Sequence, residues 1–177
     1  MDSDMLKGLE LGYSSYRYFP SELHPTISKV GRKQFTHPTC YEHHDELEYI
    51  LVRAGTGQLF VNHRIFQLEP GAAGMFMSFD FHRFEPTVGE TLDVDYLRIS
   101  SGTFLYMMAC PYSVLPDLDI SNYMFTFHRL VGEDLTSIGR LFDELRKLMA
   151  SSGGENKKAI YFLMELVGKY RRNANIR

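Results

Sequence analysis

Tryptophan is missing from this chain of 177 residues, and cysteine is nearly so, with only Cys40 and Cys110. Their separation is neither that of a metal pair nor that of a redox pair, so both are expected to be reduced and to pack as small apolar side chains. Long apolar runs are missing: none approaches the ~18 residues that a membrane-spanning helix needs. The start, Met1-Asp2-Ser3-Asp4-Met5, is acidic and has no signal-peptide core, so a cytoplasmic location without a membrane partner is expected. An excess of positive charge is missing as well. A formal net charge of −3 gives no overall footprint for nucleic acid, which argues against the chain gripping DNA by itself. The sequence also lacks a Gly-rich phosphate loop, a CxxC pair and a Ser or Cys nucleophile beside a His in a recognisable motif. Nothing repeats and nothing is low-complexity.

What the chain does have is aromatic residues: thirteen Phe and eleven Tyr, which favour strands and an aromatic-lined interior. A chain of this length buries roughly 70% of the surface its unfolded form exposes and needs no covalent staples. Strands are predicted over Thr26–Phe35, Leu47–Arg53, Gln58–Val61, Arg64–Leu68, Met75–Phe79, His82–Glu85, Asp93–Ile99 and Tyr123–Leu130. Gly55-Thr56-Gly57 and Glu69-Pro70-Gly71 supply turns. Asn62-His63 joins two of the strands. Asn tolerates the positive φ that a tight hairpin needs, whereas His63 fits it less well and suggests a longer turn. Short strands at regular spacing indicate a barrel or jelly roll.

Near residue 131 the period changes. Leu135, Ile138, Leu141, Phe142, Leu145, Leu148 and Met149 recur at helical spacing. Glu133 and Asp134 at the start, with Arg146 and Lys147 near the end, suit the helix dipole. After Ser151-Ser152-Gly153-Gly154 a second stripe follows: Ile160, Leu163, Met164, Val167 and Tyr170. Two helices with a short connection make an antiparallel hairpin. The expected division is a β-barrel with an N-terminal arm over 1–131, a helical hairpin over 132–172, and the start of a linker over 173–177. The stripes present more apolar surface than a small barrel needs, so Leu141, Leu145, Leu148, Leu163 and Val167 are expected at a homodimer interface.

The candidate site follows from strand parity. Glu42, His44, Glu48, Ile50 and Val52 share one face of a continuous strand. Ile50 and Val52 belong inside, so Glu42, His44 and Glu48 are expected to look inward, with His82, Tyr96 and Arg98 beside them. Buried carboxylates cost several kcal/mol uncompensated. A bound divalent cation, a buried Arg such as Arg98, or uptake of a proton would relieve this. Glu42, His44, Glu48 and His82 form a mixed N/O set suited to Zn, Fe, Mn or Ni. His24, His37, His43, His63 and His128 are expected to be surface or packing residues.

These residues resemble a known superfamily. His44, Glu48 and Gly55 are similar to the first cupin motif, with Glu42 in place of its first His. Gly71 and His82 have the spacing of the second motif, whose usual Pro, Gly and closing Asn fall on Met77, Phe79 and Pro86. Over about residues 25–172, His44 with Leu47-Glu48-Tyr49-Ile50-Leu51-Val52 and Gly55-Thr56-Gly57, then Leu68-Glu69-Pro70-Gly71, then His82-Arg83-Phe84 and a helical hairpin resemble the N-terminal sensing domain of AraC-type transcription regulators. That resemblance implies a cupin barrel that binds a small effector, often a sugar, and dimerises through the hairpin. It also implies a helix-turn-helix domain, absent from this chain, that binds DNA. No cofactor is required. The departures from both cupin motifs weaken a metalloenzyme reading and leave the barrel intact. The alternatives are a metal-dependent cupin oxygenase, isomerase or lyase, or a stand-alone carbohydrate-binding cupin.

Overall fold

The computed structural model describes residues 27–77, 79–100 and 127–152. Among these residues, eight strands and one helix run in the order β1 (Ile27–Phe35), β2 (Leu47–Ala54), β3 (Gly57–Val61), β4 (Arg64–Leu68), β5 (Ala72–Phe76), β6 (His82–Pro86), β7 (Leu92–Ile99), β8 (Phe127–Arg129) and α1 (Gly132–Ser152). They form a five-stranded sheet, β1-β7-β2-β5-β8, and a three-stranded sheet, β4-β3-β6. Every pairing is antiparallel. The two sheets face one another as a mainly β barrel of the cupin type.

Two cores result, one on each side of the larger sheet. Ile50, Val52, Leu59, Phe76, Phe84 and Val94 pack between the sheets. Leu47, Tyr49, Leu51, Leu97 and Ile99 point the other way, onto Ile138, Leu141, Phe142 and Leu145 of α1. The parity expected for β2 is therefore the observed one. Both of its faces are covered, which explains why its sequence is apolar without alternation. Burying each of the four helix side chains stabilises the fold by roughly 1.5–3 kcal/mol.

A polar clamp reinforces the helix. Asp95 of β7 is fully buried and accepts from Arg32 Nε at 2.8 Å and from Arg146, with Arg53 Nη1 at 3.3 Å. Asp143 of α1 pairs with Arg53 and Arg146. Arg146 thus holds α1 on the sheet rather than balancing a dipole, and the last turn of the helix contains no basic residue. At Gly139 a Cβ would lie 2.1 Å from the Arg53 guanidinium, so the side-chain-free position lets the clamp close.

Several expectations change. The fifth strand begins three residues early and ends at Phe76, because its opening Ala72-Ala73-Gly74 is buried on both faces and shows no alternation. It stops where Asp80 Oδ2 accepts from Met77 N at 2.7 Å. Asn62-His63 is a two-residue turn after all, with Val61 opposite Arg64 and Asn62 alone of the pair at positive φ (53°). The Asn62 side chain is tied to Asp80 Oδ1 and to Phe81 N. Cys40 is free, as expected, but exposed rather than packed. The first helix continues through Ser152, beyond the expected loop start. Of the expected interface residues, Leu141 and Leu145 are 1% and 0% exposed beneath the sheet, so their apolar character is used within the chain. Leu148 is half-buried. The expected second helix, with Leu163 and Val167, falls outside the described residues, as do the expected N-terminal arm, residues 123–126 of the expected last strand, and Cys110. No described helix is long and apolar enough to cross a membrane.

Candidate functional site

Cross-strand register builds the site. On the barrel-facing side of the larger sheet, Lys29 of β1 lies opposite Arg98 of β7, and Arg98 lies opposite Glu48 of β2. The next row runs from Gly31 to Tyr96 to Ile50, and the one after from Lys33 to Val94 to Val52. A β-bulge between Ile27 and Lys29 makes this possible. The extra residue, Ser28, lets Ile27 join the helix-side core while Lys29 turns to the barrel side. Gly31 has a related task. A Cβ there would meet the Tyr96 ring at 2.6–2.9 Å, so the absence of a side chain lets the ring lie across β1.

These rows floor a cavity of about 280 Å³. β1 contributes Lys29, Lys33 and Phe35, and β7 contributes Val94, Tyr96 and Arg98. His82 and Phe84 come from β6, Glu48 from β2, and Thr39 and Glu42 from the preceding loop. Of the six expected ligand-binding residues, five line this cavity: Glu42, Glu48, His82, Tyr96 and Arg98. His44 sits behind Glu48, off the cavity wall. Lys29 and Lys33 were missed, because β1 was read as a strand without a face assignment.

Glu48 is the electrostatic centre. It is 3% exposed, and its Oε2 accepts from Arg98 Nε at 2.5 Å and lies 2.9 Å from His44 Nε2. Burial alone would raise its pKa. The His44 hydrogen bond and the Arg98 charge, with smaller contributions from His82 and His44, outweigh burial and hold the carboxyl below its usual value. Of the three forms of relief anticipated for a buried carboxylate, the structure displays the arginine. His82, 2% exposed, has its pKa lowered by burial; a hydrogen bond to the Asp80 carbonyl and the Glu48 charge oppose that only in part.

Both imidazoles are oriented by backbone. His44 Nδ1 donates to Glu46 O and His82 Nδ1 donates to Asp80 O, each at 3.0 Å. A carbonyl only accepts, so both Nδ1 atoms carry protons and the Nε2 atoms are left toward the site. The His44 Nε2 atom faces Glu48 Oε2 at 2.9 Å. The corner that orients His82 is strained. Phe79, in the usual glycine position of the second cupin motif, keeps a left-handed φ of 67° and donates its N–H to His44 O at 2.6 Å. A bulky residue there is an outlier, costing about 1–3 kcal/mol.

His44, Glu48 and His82 place ligand atoms within 4.8 Å of one another and could hold a divalent cation. The backbone-fixed Nδ1–H tautomers are those that metal-binding histidines use. The set fits a cation in number and atom type, with Arg98 competing for the same Glu48 oxygen. Glu42, expected as a fourth ligand, is outside this group. Its main chain pairs with His82 and its half-exposed carboxylate lies 3.9 Å from Arg98 Nη2.

No family model matches the sequence, and no curated protein is similar to it. Solved structures are. ToxT from Vibrio cholerae, in a P21 crystal form, superposes with a TM-score of 0.54 at 10% identity over 84% of this chain and 58% of that one. ToxT from Vibrio cholerae O395 bound to (E)-4-(8-methylnaphthalen-1-yl)but-3-enoic acid gives 0.53 at 10% identity, with the same coverages. The cupin domain of Schizosaccharomyces pombe Cnp3 overlaps 47% of this chain and 57% of that one at 12% identity and a TM-score of 0.41. At such identities the likeness to ToxT is one of fold, and the chain spans a little over half the length of the ToxT chains.

Proposed function

We propose that this chain is the effector-binding part of an AraC-type transcription regulator. A small polar molecule enters the barrel, and DNA is contacted by a helix-turn-helix portion outside this chain. The cavity floored by Glu48, Tyr96 and Arg98 carries this reading, because a packed barrel would have no use for a buried ion pair facing open space. The fold shared with ToxT, an AraC-family regulator, and the sequence resemblance support it. The strands supply a route to the rest of the molecule. β1 and β7 line the cavity with one face and hold Arg32 and Asp95 of the α1 clamp with the other. A ligand that favours one strand geometry therefore biases the seat of the helix. Pairing of two copies, through Leu148 and the apolar stripe expected from the sequence to include Leu163 and Val167, completes the proposal.

Calorimetry on the 177-residue chain with chelator present tests the binding claim, using monosaccharides and small organic acids. One class is expected to bind, and Tyr96→Ala to abolish it. Failure of every compound of that size to bind would overturn the reading.

The enzyme reading rests on one observation: two backbone-fixed imidazoles and a carboxylate converge within 4.8 Å. A divalent cation held by His44, Glu48 and His82 would supply a Lewis acid with open positions for substrate. Metal analysis of untagged protein and of His82→Ala separates the readings. Stoichiometric metal, lost in the variant, favours the enzyme.

A further inference from the structure

We propose that the ligand of this cavity is a compact organic anion, a carboxylate or phosphate on a flat apolar body, held through Lys29 and Lys33. This rests on the cavity being a binding site, as proposed above, and names the chemistry it accepts.

Three observations converge. First, charge is not balanced. The cavity is lined by three cations, Lys29, Lys33 and Arg98, against two carboxylates, Glu42 and Glu48, in a chain whose formal net charge is −3. Second, the carboxylates are spent on the arginine. Glu48 binds Arg98 Nε at 2.5 Å, and Glu42 approaches Arg98 Nη2 at 3.9 Å. Among the described residues neither lysine belongs to an ion pair. Third, Lys29 and Arg98 are direct cross-strand neighbours on one face. Lys29 is exposed and Arg98 is already answered by Glu48, so an anion seated between them would give Lys29 the counter-charge that Arg98 has.

The apolar half of the ligand is specified by the same lysines. The Lys29 ammonium lies 5.6 Å from the Tyr96 ring centroid and the Lys33 ammonium 4.9 Å from that of Phe35. Phe35 stacks on Phe84 at 4.6 Å. Cationic tips thus stand over aromatic surface at both ends of β1's cavity face, on long side chains whose Cα positions are roughly 13 Å apart along the strand at about 3.3 Å per residue. A cavity of about 280 Å³ lies at the small end of ligand sites. A neutral sugar would satisfy Glu48, His82 and Arg98 but leave both lysines without a counter-charge.

Matched fluorescent probes test this on the full 177-residue chain. 8-Anilinonaphthalene-1-sulfonate is an aromatic anion, and N-phenyl-1-naphthylamine is the same skeleton without the charge. The anion is expected to bind at least tenfold more tightly. Lys29→Gln and Lys33→Gln should each weaken it about tenfold, leaving the neutral probe and the circular dichroism spectrum unchanged. Displacement of the anion by benzoate or by phenyl phosphate identifies the acid group. Equal displacement by benzyl alcohol overturns the proposal. Equal affinity for both probes, or anion binding indifferent to both lysines, overturns it while leaving the cavity as a binding site. If neither probe binds, the aromatic-anion proposal falls, and the calorimetric series with monosaccharides decides the effector-binding reading by itself.

Discussion

Glu48 shows how one side chain organises its surroundings. Its carboxylate is buried, and the cation that answers it, Arg98, lies directly opposite on the neighbouring strand. Replacing Arg98 with Met leaves a buried charge with a weaker partner and should lower unfolding free energy by about 3 kcal/mol. Adding Glu48→Gln should restore most of it. Urea denaturation of the two variants checks this, and additive losses would contradict it. Acid should act on the same groups. The folded-state pKa of His82 is lowered from 6.5, so the unfolded chain takes up that proton first and stability declines as pH falls below about 6.5. The Glu48 pKa is lowered from 4.5, so its contribution, present above that value, is lost on further acidification. Urea midpoints measured with chelator at pH 7.5, 5.5 and 4 should fall in that order, and His82→Gln should shrink the first drop. Much of this was legible beforehand, because parity on β2 follows from Ile50 and Val52 having to face inward. Lys29 and Lys33 were not, since β1 has few apolar residues to mark its faces and its bulge breaks the alternation.

At the level of elements, the β5–β6 corner and α1 are the informative pieces. The corner holds Phe79 in a glycine-like conformation with 66% of the residue exposed, so its ring contributes little burial to offset the strain. Phe79→Gly is expected to raise stability by about 1 kcal/mol in urea titrations, and a loss would show that the ring makes a contact of value. No sequence pattern announces a left-handed phenylalanine, which explains the misplaced end of β5. For α1 the period was clear and its destination was not. An amphipathic stripe says that a surface is covered, without saying by what. Leu141 and Leu145 meet Leu97, Ile99 and their neighbours rather than a second subunit. Leu145→Asp should therefore prevent folding, read as loss of the cooperative thermal transition, instead of yielding a folded monomer.

Across the whole molecule, the barrel was recoverable from turn chemistry and the spacing of short strands, whereas the polar clamp between sheet and helix was not. Asp95, Arg32, Arg53 and Arg146 are far apart in sequence, and in the alternation of β7 Asp95 looks like any outward residue. Among the described elements, it is the packing of α1 that makes that face interior. β2 belongs to both cores at once, with Ile50 and Val52 in one and Leu47, Tyr49 and Leu51 in the other. A strand shared in this way ties the two halves into a single opening unit, so neither side can loosen alone. Amide hydrogen exchange should show it: a molecule seated against Tyr96 ought to slow exchange within α1, on the far side of the sheet, by nearly the factor seen in β2 itself. Protection confined to the strands would mean that the shared strand divides the molecule instead of joining it.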